Sequence, residues 1–399
     1  GVCVDVERAH KLKRELSQQE ALLLEEVKKE TGIDVQIWAA RSIAKVFDNL
    51  SLSYARTEKT NSPSFTKNFL STHQHPMVKN IAKAREINKA HTTFIDTILK
   101  HQYRGRIHAD INPIRSDQGG TVTGRFSYSN PNLQQIPARN KDLGPMIRSL
   151  FIPEKDHKWG CFDYSQQEPR LVVHYAATTE PICFDKSVEN IVNKFKDDSV
   201  DFHQTVADMA NISRTQAKTI NLGLFYGMGK AKLQAELGLN TKEEAEELFN
   251  TYHTNVPFVR DLMNYTSKTA QTSGSIGTLL GRRCRFNKWE PNQFGMHKPM
   301  EYEEAERTYG RGRIRRAFTY KALNKLIQGS AADMTKKSMV DLYKEGVVPH
   351  IQIHDELDIS VESDDAAKKI IDIMENAVSL EVPNKVDYES GKTWGDIYG

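Results

Sequence analysis

The stretch from Arg214 to Gly227 constrains this chain more than any other. Arg214, Lys218, Leu222 and Tyr226 stand at intervals of four, so on a helix they form one slightly slanting stripe. Ser213 followed by Gln216 reads as a capping box, and Gly227 and Gly229 read as stops. The stripe runs cation, cation, apolar, aromatic over roughly 18 Å, at ~1.5 Å per residue. Such a helix offers a positive N-terminal end to phosphates and its far end to a flat ring. A nucleoside triphosphate laid along it fits that outline. An amphipathic helix whose Arg and Lys are merely solvated fits the spacing equally well.

The rest of the chain must decide, and its 399 residues allow two or three domains around a large core. Net charge is only +3, too small to prove an anionic partner, so local charge carries that question. Cys3, Cys161, Cys183 and Cys284 show no C-x-x-C pairing and no metal spacing, which fits reduced thiols in a cytoplasmic protein. No apolar run approaches the ~20 residues of a membrane span and no signal peptide opens the chain, so no membrane partner is expected. The opening Gly1-Val2-Cys3-Val4 lacks Met and reads as the middle of a longer protein.

Residues 1 to about 50 are helical in character, with Leu12, Leu16, Leu23 and Val27 among many Glu and Lys. Asp5 and Glu7 read as first-turn acids rather than a metal pair. From Ser51 to Ser64 the composition turns to that of a loop. Lys79 to Arg106 holds seven Lys or Arg against two acids on a helical pattern, with Arg85 and Lys89 on one face. That face suits a phosphate backbone; a solvated charged face is the alternative. The segment Asn130 to Arg139 is dense in amides and turn formers, suited to minor-groove acceptors or to a plain loop.

Lys158 to Ser165 reads as a short buried strand ending in Asp163, followed by a helix that tolerates Pro169 in its first turn. Asp201 opens the helical region leading to the stripe, and residues 241 to 273 read as helices. Residues 286 to 316 are polar and irregular, an insertion or mobile loop with arginines for a phosphate contact. Residues 319 to 345 form a helix with Asn324 and Gln328 on one face. Pro349 to Val361 alternates in twos on either side of a polar tip, a β-hairpin whose turn carries Asp355 and Glu356. Asp358 is expected on its outer, solvent face.

Asp163 and Asp355, brought together in a sheet, would repel and raise each other's proton affinity. A pair of hard divalent cations relieves that, because Mg²⁺ takes carboxylate oxygens and keeps phosphate oxygens as further ligands. Two ions ~3.5–4 Å apart stabilise both oxygens of an in-line phosphoryl transfer. Arg214 and Lys218 would neutralise the triphosphate as pyrophosphate leaves. These pieces describe template-directed addition of nucleotides to a primer. A two-metal nuclease would share the carboxylates without using the stripe, and a non-catalytic DNA clamp would keep the basic helices without needing both carboxylates.

Taken together, Asp163-Tyr-Ser-Gln-Gln-Glu168, the Arg214 to Tyr226 stripe and His354-Asp355-Glu356 resemble motifs A, B and C of the family A DNA polymerases. Thr123-Gly-Arg125, Asn130-Pro-Asn132-Leu-Gln134 and Asn324-x3-Gln328 match further segments of that family, in order along the whole chain. The resemblance implies an α+β right hand with a palm built on an antiparallel sheet and helical fingers. The thumb would span 1–105, the palm 106–200 and 319–399, the fingers 201–290, with an insertion at 291–318. It implies Asp163, Asp355 and the Phe162 carbonyl as ligands of two Mg²⁺ ions, which Mn²⁺ can replace, assisted by Glu356. The nucleotide would meet Gln166, Glu168, His203, Arg214, Lys218, Leu222 and Tyr226, Glu168 acting as the gate against a 2′-hydroxyl. The duplex would meet Arg85, Lys89, Arg125, Asn132, Gln134, Arg139, Asn324, Gln328 and His354. Partners are then primer–template DNA, dNTPs and other replication proteins, for a monomer in the cytoplasm, that of the host if the source is viral. A proofreading domain is expected upstream.

Leu222 stands where the family carries an aromatic residue, and Tyr320 where bacterial relatives carry an Arg. Leu offers no hydroxyl to replace the missing 3′-hydroxyl of a dideoxynucleotide, and a net hydrogen bond is worth roughly 0.5–1.5 kcal/mol. Leu222→Tyr should therefore narrow discrimination against dideoxynucleotides by about tenfold in single-nucleotide incorporation. An unchanged ratio would mean that the side chain does not face the sugar.

Overall fold

The computed structural model describes residues 1–397 apart from 115, 117, 118, 139, 198, 199, 226–229 and 294, and only the backbone of 222, 224, 225, 230 and 231. The chain opens with a helical lobe. Helix α1 (Val6–Thr31) starts at Asp5, whose carboxylate accepts from the Arg8 amide, and Glu7 lies in its first turn. It ends at Gly32, which is left-handed at φ 68°. The Asp5 and Glu7 pair is therefore a helix start, as its position predicts.

Helices α2 (Ala40–Asn49) and α3 (Pro76–Lys89) pack against α1 around Val27, Ile43, Val46, Phe47, Val78 and Ile81, all fully buried. Phe47 is the hub: its ring lies 4.9 Å from Phe65 and 5.9 Å from both Tyr54 and Phe69. Polar links fix the α1–α3 register, Asn80 donating to Glu26 at 2.7 Å and Asn88 to Glu20 at 3.0 Å. The loop expected at 51–64 carries one short strand pair, Ala55–Arg56 with Pro63–Ser64. The lobe leaves and rejoins the body through one small sheet. There Val2–Val4 pairs with Arg106–Ile107 on one side and Phe151–Ile152 on the other.

Strand β1 (Lys158–Tyr164) is central to a second sheet, and α4 (Gln167–Thr178) follows it directly. After a nine-residue helix at Lys186–Lys194 come helices α5 (Phe202–Ala210) and α6 (Arg214–Phe225). The box expected at the start of α6 is present: the Gln216 amide donates to Ser213 Oγ, and the Ser213 amide to Gln216 Oε1. Gly227 and Gly229, read as its stops, lie outside the described residues. Two more helices, Lys242–Asn255 and Pro257–Ser273, complete this region as expected.

Residues 286–316 are not irregular. Trp289–Pro291 pairs antiparallel with Ile314–Arg316, and helix Tyr302–Tyr309 lies between them. Trp289 meets Tyr302 edge-on at 5.0 Å, and the Arg316 guanidinium lies 4.6 Å from the Trp289 ring centre. Small aromatic and cationic contacts of this kind have no periodic signature, so the fold of this segment was not legible.

Helix α7 (Ala322–Lys344) and the hairpin β2 (Ile351–Ile353) and β3 (Glu356–Val361) form as the alternation predicts, and β4 (Val386–Gly391) closes the sheet. The strand order is β2-β3-β1-β4, antiparallel throughout. One face, through Phe162, Leu357 and Ile359, packs on the large helical core. Gly160 makes this possible, since a Cβ there would fall 2.5 Å from Val361. Tyr164 pins the sheet to the helices through Ser338 Oγ at 2.6 Å and the Met374 carbonyl at 2.5 Å.

The other face corrects an expectation. Asp358 does alternate with Leu357 and Ile359, but its side is not solvent. It is 0% exposed, under Trp159, whose Nε1 donates to its carboxylate at 2.9 Å. Trp394 stacks on Trp159 at 5.8 Å and Tyr128 lies in the same core. The sheet is covered on both faces by separate cores, which hairpin alternation cannot reveal. No helix among the described residues is long and apolar enough to cross a membrane.

Truncating a fully buried aromatic ring costs about 3–5 kcal/mol. Phe47→Ala should lower stability by that order in chemical denaturation and raise amide exchange across α2 first. A loss below about 1 kcal/mol would show that the lobe core collapses around the cavity.

Candidate active site

The register of β1 decides the chemistry at the end of the sheet. Asp163 faces Glu356 across β3 and Asp387 across β4. Asp355 occupies the hairpin turn beside His354, which is left-handed at φ 56°, and the Tyr164 amide approaches the Asp355 carbonyl at 3.4 Å. The two predicted carboxylates are thus brought to one end of one sheet. Burial, then Asp355, Glu356, Asp387 and Glu389, push the Asp163 carboxyl well above the usual carboxylate range. Burial raises Asp355 too, opposed by Arg125 and reinforced by Glu168 and Glu356.

The charges that act most on Asp163 are acidic, and the donors are oxygens. That donor set fits a hard divalent cation, which would supply the missing positive charge. Phe162 is fully buried in the strand, one residue before Asp163. Beneath this end Cys161, Glu356 and Asp358 bring their donor atoms within 4.8 Å of one another. Asp358 shares a hydrogen bond there with Glu356.

Facing groups come from α4, α5 and α6. Gln166, left-handed at φ 53°, bridges to the start of α5, donating to the Val200 carbonyl at 2.8 Å and accepting from the Phe202 amide at 2.7 Å. This clasp fixes His203 relative to the end of β1. Glu168 pairs with Arg125 at 2.6 Å. Arg214 pairs with Asp201 through Nε at 2.8 Å and a terminal nitrogen at 2.6 Å. Burial lowers the pKa of His203; Asp201 opposes this, and Lys218 and Arg214 add to it, so these three predicted residues share one patch. Its Nδ1 is 3.1 Å from the Asn221 amide nitrogen. The Leu222 side chain and Tyr226 lie outside the described residues, as does Arg139.

Several predicted duplex contacts have work inside the chain. Arg85 donates to the carbonyls of Ile37 at 2.6 Å and Phe65 at 3.1 Å, while Lys89 stays exposed. Asn132 caps a short turn by accepting from the Gln134 amide, and Gln134 donates to the carbonyls of Phe126 and Gln352. Among the described residues the half-buried amides of Asn324 and Gln328 have no hydrogen-bond partner. His354 is exposed and lines a groove with Gln134 and Lys89. Sequence reasoning missed Asp387 and Glu389. The alternation of Val386–Gly391 was the available signal.

Because the folded carboxyls hold protons above the ordinary range, a cation must displace them. Cation affinity should rise with pH, and calorimetry in two buffers of different ionisation enthalpy should register proton release. A raised folded pKa also means that the cation-free protein loses stability as pH climbs from the unfolded carboxylate value through the folded one. Asp163→Asn should remove most of that loss; a pH–stability curve identical to wild type would show that Asp163 titrates normally.

The comparisons accord with this geometry. The family model "DNA polymerase family A" matches residues 6–396. The DNA-directed DNA polymerase of Pseudomonas phage M6 is 33% identical over all of this chain and 64% of that protein. The thermostable DNA polymerase I of Thermus filiformis is 33% identical over 99% of this chain and 46% of its own length. This chain thus spans less than two thirds of either relative. The POL domain of Pol1 from M. smegmatis, solved in complex with DNA primer-template and dNTP, superposes with a TM-score of 0.75 at 25% identity, covering 100% of this chain and 68% of that one. A right-hand fold, a carboxylate pair at the end of its sheet and a match along nearly the whole length lead to one assignment: the chain belongs to DNA polymerase family A.

Proposed function

We propose that this protein is a template-directed DNA polymerase of phage replication, extending a primer 3′ end and releasing pyrophosphate. The observation carrying this reading is that Asp163 and Asp355 meet at one sheet end, while His203, Arg214 and Lys218 form one basic patch at the start of α5 and α6. The phage relative and the neighbour solved with primer-template and dNTP support it.

In this reading residues 1–105 are the thumb, 106–200 and 319–399 the palm, 201–290 the fingers and 291–318 an insertion. Asp163, Asp355 and the Phe162 carbonyl hold two Mg²⁺ ions, with Glu356 assisting. These ions, when bound, polarise the attacking hydroxyl and the leaving phosphate oxygen. Arg214 leaves Asp201 to meet the triphosphate, and with Lys218 offsets charge gathering on the departing pyrophosphate. His203 adds a hydrogen-bond donor to the phosphates. Gln166 keeps the patch in register with the carboxylates. Glu168, released from or shared with Arg125, closes on the sugar edge and excludes a 2′-hydroxyl, while Tyr226 and Leu222 border the base and sugar. Arg125, Asn132, Gln134, Arg139, Asn324, Gln328 and His354 read the primer end and the minor groove, and Lys89 and Arg85 face the backbone.

Replacing a carboxylate should remove the reaction and spare the grip on DNA. Asp163→Ala and Asp355→Ala should each abolish primer extension with Mg²⁺ or Mn²⁺ while retaining primer–template binding in a mobility assay. Extension within about tenfold of wild type by either variant would overturn the two-metal reading.

A further inference from the structure

Trp38 is 59% exposed, whereas Trp159 and Trp394 are fully buried. A single exposed apolar residue needs no explanation. Trp38, however, is built into place. Its Nε1 donates to Asn88 at 2.9 Å, and the Arg85 guanidinium lies 5.2 Å from its ring centre. The two carbonyls that hold Arg85 belong to Ile37, beside the tryptophan, and to Phe65. The ring is therefore presented rigidly to solvent.

It walls a groove of about 260 Å³ together with Leu70, Arg85, Lys67 and Lys89. Lys67 and Lys89 also line the adjoining groove of about 510 Å³, which contains Phe94 and runs to His354 at the catalytic hairpin. Lys89 stands 5.7 Å from the Phe94 ring centre. Between the levels of Arg85 and Phe94 the helical path rises by roughly 13 Å, at ~1.5 Å per residue. Two aromatic rings with lysines between them thus share one track over the length of a few nucleotides. Three cations against the single acid Glu86 favour an anionic occupant.

Stacking on an aromatic ring needs a base whose face is free, and a duplex hides its base faces. We propose that this track is a binding site for single-stranded nucleic acid, in which Trp38 stacks an unpaired base and Lys67 and Lys89 take the neighbouring phosphates. It goes beyond the polymerase reading and does not rest on it; because that reading gives Lys89 a duplex backbone, the two occupants would compete for this residue.

The test is titration of the chain with a short oligothymidylate, without nucleotide or divalent cation, following tryptophan emission and affinity. Wild type should be quenched on binding. Trp38→Ala should lose most of the quench and bind about tenfold more weakly or worse, as for other stacked bases. Trp38→Phe should keep affinity close to wild type, and an unchanged thermal midpoint in both variants excludes misfolding. Unchanged affinity in Trp38→Ala, or equal quenching by a blunt duplex or by polyglutamate, would overturn the site. Because no extension is measured, failure here leaves the polymerase reading intact, and a carboxylate variant inactive in extension should still show the quench.

Discussion

One pairing register governs this molecule: β1 lies between β3 and β4 with Asp163 opposite Glu356 and Asp387. A slip of one residue would turn Asp163 into the helical core and place Phe162 among the acids of the opposite face. The register is held by side chains on both faces. Gly160 admits Val361, Tyr164 reaches Ser338 and Met374, and Trp159 reaches Asp358. The apolar end of the sheet therefore supports a concentration of like charge that could not otherwise persist.

Opposite that acidic end stand cations that are provisionally matched. Arg214 has Asp201 and Arg125 has Glu168. The Arg214–Asp201 pair is half open to water and contributes little net stability, so an anionic ligand can compete for that guanidinium at modest cost. Gln166 ties these two halves of the site together through backbone groups rather than charges. Their separation then stays independent of ionic strength.

The features legible in the sequence were those written in local patterns. The capping box at Ser213, the hairpin carrying Asp355 and the buried strand ending in Asp163 each declare themselves within a few residues. What failed to show was set by distant packing. Asp358 had the right parity for an outer face, yet Trp159 and Trp394 make that face interior. Arg85 reads as a surface cation in a basic helix, but carbonyls of Ile37 and Phe65 claim two of its donors. Asp387 and Glu389 come from a strand whose partner, β1, lies far away in sequence. The segment 286–316 folds around Trp289, Tyr302 and Arg316, which no short-range period announces.

The small sheet at the root of the helical lobe has a mechanical consequence. Both ends of the lobe pass through adjacent strands, Val2–Val4 and Arg106–Ile107. Helix α1 is 26 residues long and so reaches ~39 Å from that root. Its base also packs on the body through Ala9 and Leu16, and a tilt of about 10° at the sheet would sweep the far end through ~7 Å at ~1.5 Å per residue. Displacements too small to disturb the strand pairing are thus magnified into strokes comparable to the spacing of successive phosphates.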